Sequence, residues 1–132
     1  MRIIGIDITM HVPSLEKTMA WYADVLGWKH GCDLKNESGE CLYGDVYYAR
    51  EPLIGFNLSK SKDKLDPSSF HPLIKVPDVE ELYAEIREKD VEIIQKPQEQ
   101  AWGKTLKIRD VNGYILEFWN ELDASFRAGG AP

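Results

Sequence analysis

Val12-Pro13-Ser14-Leu15-Glu16 returns further along the chain as Val76-Pro77-Asp78-Val79-Glu80. Each copy follows a short alternating segment, Ile6-Asp7-Ile8-Thr9-Met10 in the first and Phe70-His71-Pro72-Leu73-Ile74-Lys75 in the second. Each also stands at the head of a helical pattern. Self-similarity of this kind predicts a tandem of two equivalent units. Ser14 is a good N-cap, because its hydroxyl accepts a free backbone N–H, and a helix is expected over Leu15–Leu26. Leu15, Met19, Tyr22 and Leu26 make its apolar stripe, and Gly27 is placed to end it in the left-handed conformation. The second helix starts at Asp78, with Glu81 at capping-box spacing and Val79, Leu82 and Ile86 as its inner stripe.

Three strands are expected after each helix. They fall near Trp28–Leu34, Cys41–Ala49 and Leu53–Leu58 in the first unit, and near Val91–Gln95, Thr105–Arg109 and Tyr114–Trp119 in the second. Asn36 to Gly39 reads as a turn, and Val111-Asn112-Gly113 is a tight-turn signal. The expected layout is one domain over residues 1–122: a first module at 1–59, a polar linker at 60–69 and a second module at 70–122. A tail at 123–132, with Gly129, Gly130 and Pro132, is expected to fray.

The bulk properties bound the function. A length of 132 residues suits a single domain, and 43% hydrophobic with 29% charged residues allows both a core and solubility. The formal net charge of −6 argues against a nucleic-acid surface, which shows a basic patch. No apolar run approaches the roughly 20 residues that cross a bilayer, and the N-terminus lacks the layout of a signal peptide. A cytoplasmic setting without membrane contact is therefore expected. Cys32 and Cys41 are too few for a disulfide scaffold; they are expected near each other across a hairpin, as reduced thiols in a reducing cytosol.

Beyond the repeat itself, Trp21-Tyr22, Val25-Leu26-Gly27-Trp28, Trp102-Gly103 and Asp110-Val111-Asn112-Gly113-Tyr114-Ile115-Leu116-Glu117 carry a resemblance. With the two entry segments, they make the chain resemble the glyoxalase/bleomycin-resistance/dioxygenase superfamily, the vicinal-oxygen-chelate fold, over residues 1–121. The resemblance implies an α+β fold of two βαβββ modules forming an open, barrel-like cup, often completed by a homodimer. Members include metal-dependent lyases, isomerases and dioxygenases as well as metal-free drug-binding proteins, and fold alone does not choose among them.

In metal-using relatives the ligands come from the first and last strands of each module, which here are Asp7, Gly55, His71 and Glu117. Glu117 stands out on physical grounds too. It lies within Tyr114-Ile115-Leu116-Glu117-Phe118-Trp119, and a carboxylate buried there without a partner costs several kcal/mol. It should meet a metal, a base or a cavity, unless the strand is an edge and Glu117 points to water. His71 is a good ligand type. Asp7 stands where many relatives have His, and Gly55, with no side chain, stands where four-ligand relatives carry a carboxylate. A three-ligand set of Asp7, His71 and Glu117 would suit Zn, Ni, Mn or Fe as a divalent ion.

Strand alternation puts Thr9 and His11 beside Asp7, and Asn57 beyond Gly55, as ligand-binding candidates. Trp102 could cover the pocket and stack on a planar or cationic ligand, with Arg109 as a further contact. Two functions stay open. One is a metal-dependent lyase, isomerase or dioxygenase-like enzyme with Glu117 as catalytic proton carrier. The other is a metal-free protein that sequesters a drug-like small molecule.

Overall fold

The computed structural model describes residues 1–2, 8–48, 51–58 and 66–122. Asp7, linker residues 60–65 and the tail 123–132 lie outside the described residues. The chain divides into two compact units, Met1–Asp66 and Pro67–Pro132.

In the first unit β1 (Thr9–Val12) leads into α1 (Leu15–Trp21), followed by β2 (Lys29–Lys35), β3 (Cys41–Tyr48) and β4 (Glu51–Leu58). The four strands form one open sheet in the order β1-β4-β3-β2, with β1 parallel to β4 and the others antiparallel. The second unit repeats the plan with β5 (Leu73–Lys75), α2 (Val79–Ile86), β6 (Glu92–Gln100), β7 (Gly103–Arg109) and β8 (Ile115–Asn120). Its order is β5-β8-β7-β6, with β5 parallel to β8. Two βαβββ modules in tandem are thus present, and neither sheet closes on itself. A parallel pair needs a crossover, and the remaining strands follow through hairpins.

Both helix starts form as their residues dictate. The Lys17 amide donates to Ser14 Oγ at 3.2 Å, and the Glu80 and Glu81 amides donate to Asp78 Oδ1 at 2.9 and 3.4 Å. The Val79 amide donates to Asn120 Oδ1 at 2.8 Å, which ties the head of α2 to the end of β8. The first helix departs from expectation after Trp21: Tyr22–Leu26 forms a π-helical turn, closed by Gly27 at φ 71°. Val25 is buried there, while Leu26 is half-buried.

In each module one face of the sheet packs on its helix. Met10, Val12, Val46, Ile54 and Phe56 meet Leu15, Met19 and Tyr22 in the first, and Tyr22 is fully buried with Phe56 at 5.0 Å between ring centroids. Leu106, Ile108, Leu116 and Phe118 meet Val79 and Ile86 in the second. Because side chains alternate, the opposite, helix-free faces carry the polar strand residues.

Two expectations are corrected. β6 does not stop at Gln95 but runs on through Pro97 to Gln100. It is the outer strand of its sheet, and a register shift between Gln95 and Gln98 takes up the proline that has no N–H to donate. Cys32 and Cys41 are not free thiols but a disulfide, with Cα atoms 6.0 Å apart. Two register shifts in β2, between Cys32 and Lys35, bring Cys32 round to Cys41 across the hairpin. The reduced-thiol expectation rested on an assumed compartment, whereas the hairpin's own geometry decides the pairing.

Candidate functional site

β8 and the approach to β5 build the centre of the second module's site. The Glu117 amide donates to Pro72 O at 3.1 Å, and Leu73 pairs in register with Glu117. This parallel contact lays the residues before β5 alongside the middle of β8. His71 Nε2 then stands 2.9 Å from Glu117 Oε1. Glu117 is only 7% exposed, so the strand is not an edge with its carboxylate in water. His71 is partly open to solvent and supplies the partner that a buried carboxylate needs.

The surrounding helix-free face mixes apolar and basic groups. Leu73 is 55% exposed, Lys107 lies across from Glu117 on β7, and Trp119 follows two residues on along β8. Trp102 meets Trp119 edge-on at 5.5 Å between centroids, and Lys75 Nζ lies 5.1 Å from the Trp119 ring. Gly103 lets β7 pass close to the end of β8: a Cβ there would stand 2.5 Å from Asn120 O and 3.3 Å from Trp119 Cε3. Arg109 is engaged within its own module, with Nε 2.7 Å from Glu92 Oε2 and Nη1 donating to Gly113 O at 3.0 Å. It braces the turn that Asp110 caps by accepting from the Asn112 and Tyr114 amides, both at 2.8 Å.

The first module's helix-free face is different in kind. Thr9, Gly55 and Asp45 lie side by side across β1, β4 and β3. A Cβ on Gly55 would overlap the Tyr43 hydroxyl and come within 3.0 Å of Asp45 Oδ1. The Tyr43 hydroxyl shares a 3.1 Å hydrogen bond with Thr9 Oγ1. A side chain from a neighbouring strand thus occupies the space that a side chain at position 55 would need. His11 sits half-buried on β1 in register with Asn57 on β4, which is placed by its backbone. His30 is exposed on β2.

Tyr43, Asp45, Asp33 and Tyr47 are the residues that sequence reasoning missed. For Tyr43, Asp45 and Tyr47 the only signal was alternation along Cys41–Tyr48, which does not say what they would face, and Asp33 on β2 had none. Tyr47 Oη lies 3.3 Å from Asp33 Oδ1 and 3.4 Å from Asp45 Oδ2, so its single O–H is shared between the two carboxylates. Desolvation, followed by the two carboxylates, holds its hydroxyl above the ordinary value of 10.0. A raised pKa favours the neutral phenol in the folded protein. Its stabilising share is full below pH 10.0 and is lost as pH rises through the higher folded value. In an alkaline titration followed by phenolate absorbance, Tyr47→Phe should remove a late-ionising component, and Asp33→Asn or Asp45→Asn should move it earlier. Unchanged curves in all three variants would contradict this account.

The donors for a divalent cation are of the right kind at His71 and Glu117. Among the described residues no third His, Cys, Asp or Glu joins them in a ligand-like group, and Asp7 lies outside the described residues. No helix among the described residues is long and apolar enough to cross a membrane.

Comparison with known proteins agrees with this architecture. A solved antibiotic-binding protein, TnmS3 from Streptomyces sp. CB03234, is 19% identical over 92% of this chain and 99% of its own, with a TM-score of 0.69. A glyoxalase-related enzyme from Clostridium phytofermentans is 18% identical over 92% and 98%, with a TM-score of 0.69. A glyoxylase/bleomycin resistance protein/dioxygenase domain from Frankia sp. EAN1pec is 17% identical over 91% and 99%, with a TM-score of 0.71. At these identities the likeness shows the fold alone. No curated protein matches the chain in sequence. The sequence pattern of the Glyoxalase/Bleomycin resistance protein/Dioxygenase superfamily matches residues 6–118, and the chain belongs to that superfamily.

Proposed function

We propose that this chain is a metal-free small-molecule-binding protein that holds a planar, drug-like aromatic ligand on the helix-free face of its second module. Exposed Leu73 and the Trp102–Trp119 pair offer apolar contact, and the His71–Glu117 pair offers a polar anchor. The observation that carries the proposal is at Gly55. The strand position at which four-ligand relatives place a carboxylate has its side-chain space taken by the Tyr43 hydroxyl. Glu117, for its part, already has His71 as partner and needs no ion to be buried. The like fold of an antibiotic-binding protein is consistent with this use.

A second reading is favoured by the 2.9 Å approach of two ligand-type side chains. In it Asp7, His71 and Glu117 hold Zn, Ni, Mn or Fe, and the bound metal supplies Lewis-acid chemistry to a lyase, isomerase or dioxygenase-like reaction. There Glu117 would carry the proton. A homodimer goes with either reading as a proposal.

One pair of measurements separates them. Protein without a histidine tag is incubated with each divalent metal, desalted and assayed for bound metal, as wild type, His71→Ala and Glu117→Gln. Emodin, a neutral hydroxyanthraquinone, is then titrated against tryptophan fluorescence. Expected are no stoichiometric metal and a saturable quench that Trp102→Ala weakens about tenfold. Stoichiometric metal in the wild type, lost in both variants, would establish the second reading instead.

A further inference from the structure

On the helix side of the first module a groove of about 560 Å³ runs between α1 and the β2–β3 hairpin. Its size lies within the range of small-molecule pockets, about 300–1,000 Å³. Leu15 and Met19 of α1 supply an apolar floor. Glu16 on the helix and Glu40 at the hairpin turn stand on its rim, together with His30. Among the described lining residues there is no lysine or arginine. Glu40 is held in place, because the Asn36 side-chain amide donates to Glu40 Oε1 at 3.2 Å and the Glu40 amide donates back to Asn36 Oδ1 at 2.9 Å. The hairpin wall is fixed by covalent chemistry as well: Cys41 lines the groove and is bonded to Cys32 on the neighbouring strand. A wall ordered before binding lowers the cost of ordering it around a ligand.

We infer that this groove is a second ligand site, and that its occupant is a lipophilic organic cation. The apolar floor takes the body of such a molecule, and Glu16 and Glu40 face its charge. Two negative charges at the groove attract a cation, add nothing for a neutral apolar molecule and repel an anion. The site does not depend on the second-module reading above, since it lies in the other module and on the opposite kind of face.

The test uses two ions of matched size and shape, tetraphenylphosphonium and tetraphenylborate, titrated into the isotope-labelled, disulfide-bonded full chain and followed by amide NMR shifts. Expected is saturable binding of the phosphonium, with shifts at Leu15, Glu16, Met19, Glu40 and Cys41. The borate should bind at least about tenfold more weakly there. Glu16→Gln with Glu40→Gln should weaken the phosphonium about fivefold, in line with two solvent-facing charges. Equal affinity for the two ions, or no saturable shift at these amides, would overturn the inference. So would shifts confined to Glu117 and Trp119, which would report the second-module site instead.

Discussion

Gly103→Ala should lower the thermal midpoint by about 8 °C, from a loss of about 2 kcal/mol. The added methyl would stand 2.5 Å from Asn120 O, which is backbone and cannot swing aside like the end of a long side chain. Lys104 and Asn120 are paired where β7 meets β8, so relief requires that end of the ladder to open. The same methyl would press on Trp119 at 3.3 Å and disturb its edge contact with Trp102. Emodin binding should therefore fall along with stability. Gly31→Ala is the control: its Cβ would meet only Tyr47 Cε2, at an ordinary 3.9 Å, and the midpoint should move little or rise slightly. A Gly103→Ala midpoint equal to that of wild type would show that β7 and β8 part there without cost.

His71→Ala should destabilise the folded chain by about 1–2 kcal/mol, read from urea unfolding near neutral pH. The value is set below that of a fully enclosed pair because the imidazole is partly in water and solvent can reach part of the space it leaves. What costs energy is the Glu117 carboxylate, left buried without the imidazole. Adding Glu117→Gln removes that charge, so the double variant should recover part of the loss, with a coupling of about 1 kcal/mol. Strictly additive losses would mean that the 2.9 Å contact contributes nothing of its own.

Much of this molecule could be read along the chain. Ser14 and Asp78 cap the helices predicted from them, Gly27 takes its left-handed turn, and Asp110 to Gly113 forms its tight turn. Each is a local event, decided by a few consecutive residues and their hydrogen bonds. The repeat follows from the same local rules applied twice, and with it the two βαβββ modules. Glu117 was legible in a weaker sense: an acid inside Ile115-Leu116-Glu117-Phe118 had to find a partner, though its neighbours in sequence could not name one.

The partners were decided by pairing between strands. His71 reaches Glu117 because β5 runs parallel to β8 in a register that sets Leu73 against Glu117. Tyr43 closes the space at Gly55 because the pairing of β3 with β4 sets it opposite Asn57, two residues along from Gly55, from where its hydroxyl reaches diagonally to Thr9. Cys32 meets Cys41 because irregular pairing in β2 turns the hairpin by the needed amount. Register and bulges depend on contacts between distant segments, and a shift of one residue would send each of these side chains to the other face. Thus the sequence alone determined two equivalent modules and a buried acid in need of company. Only the tertiary structure could show that the company is an imidazole, and that the first module's matching position is filled by a phenol.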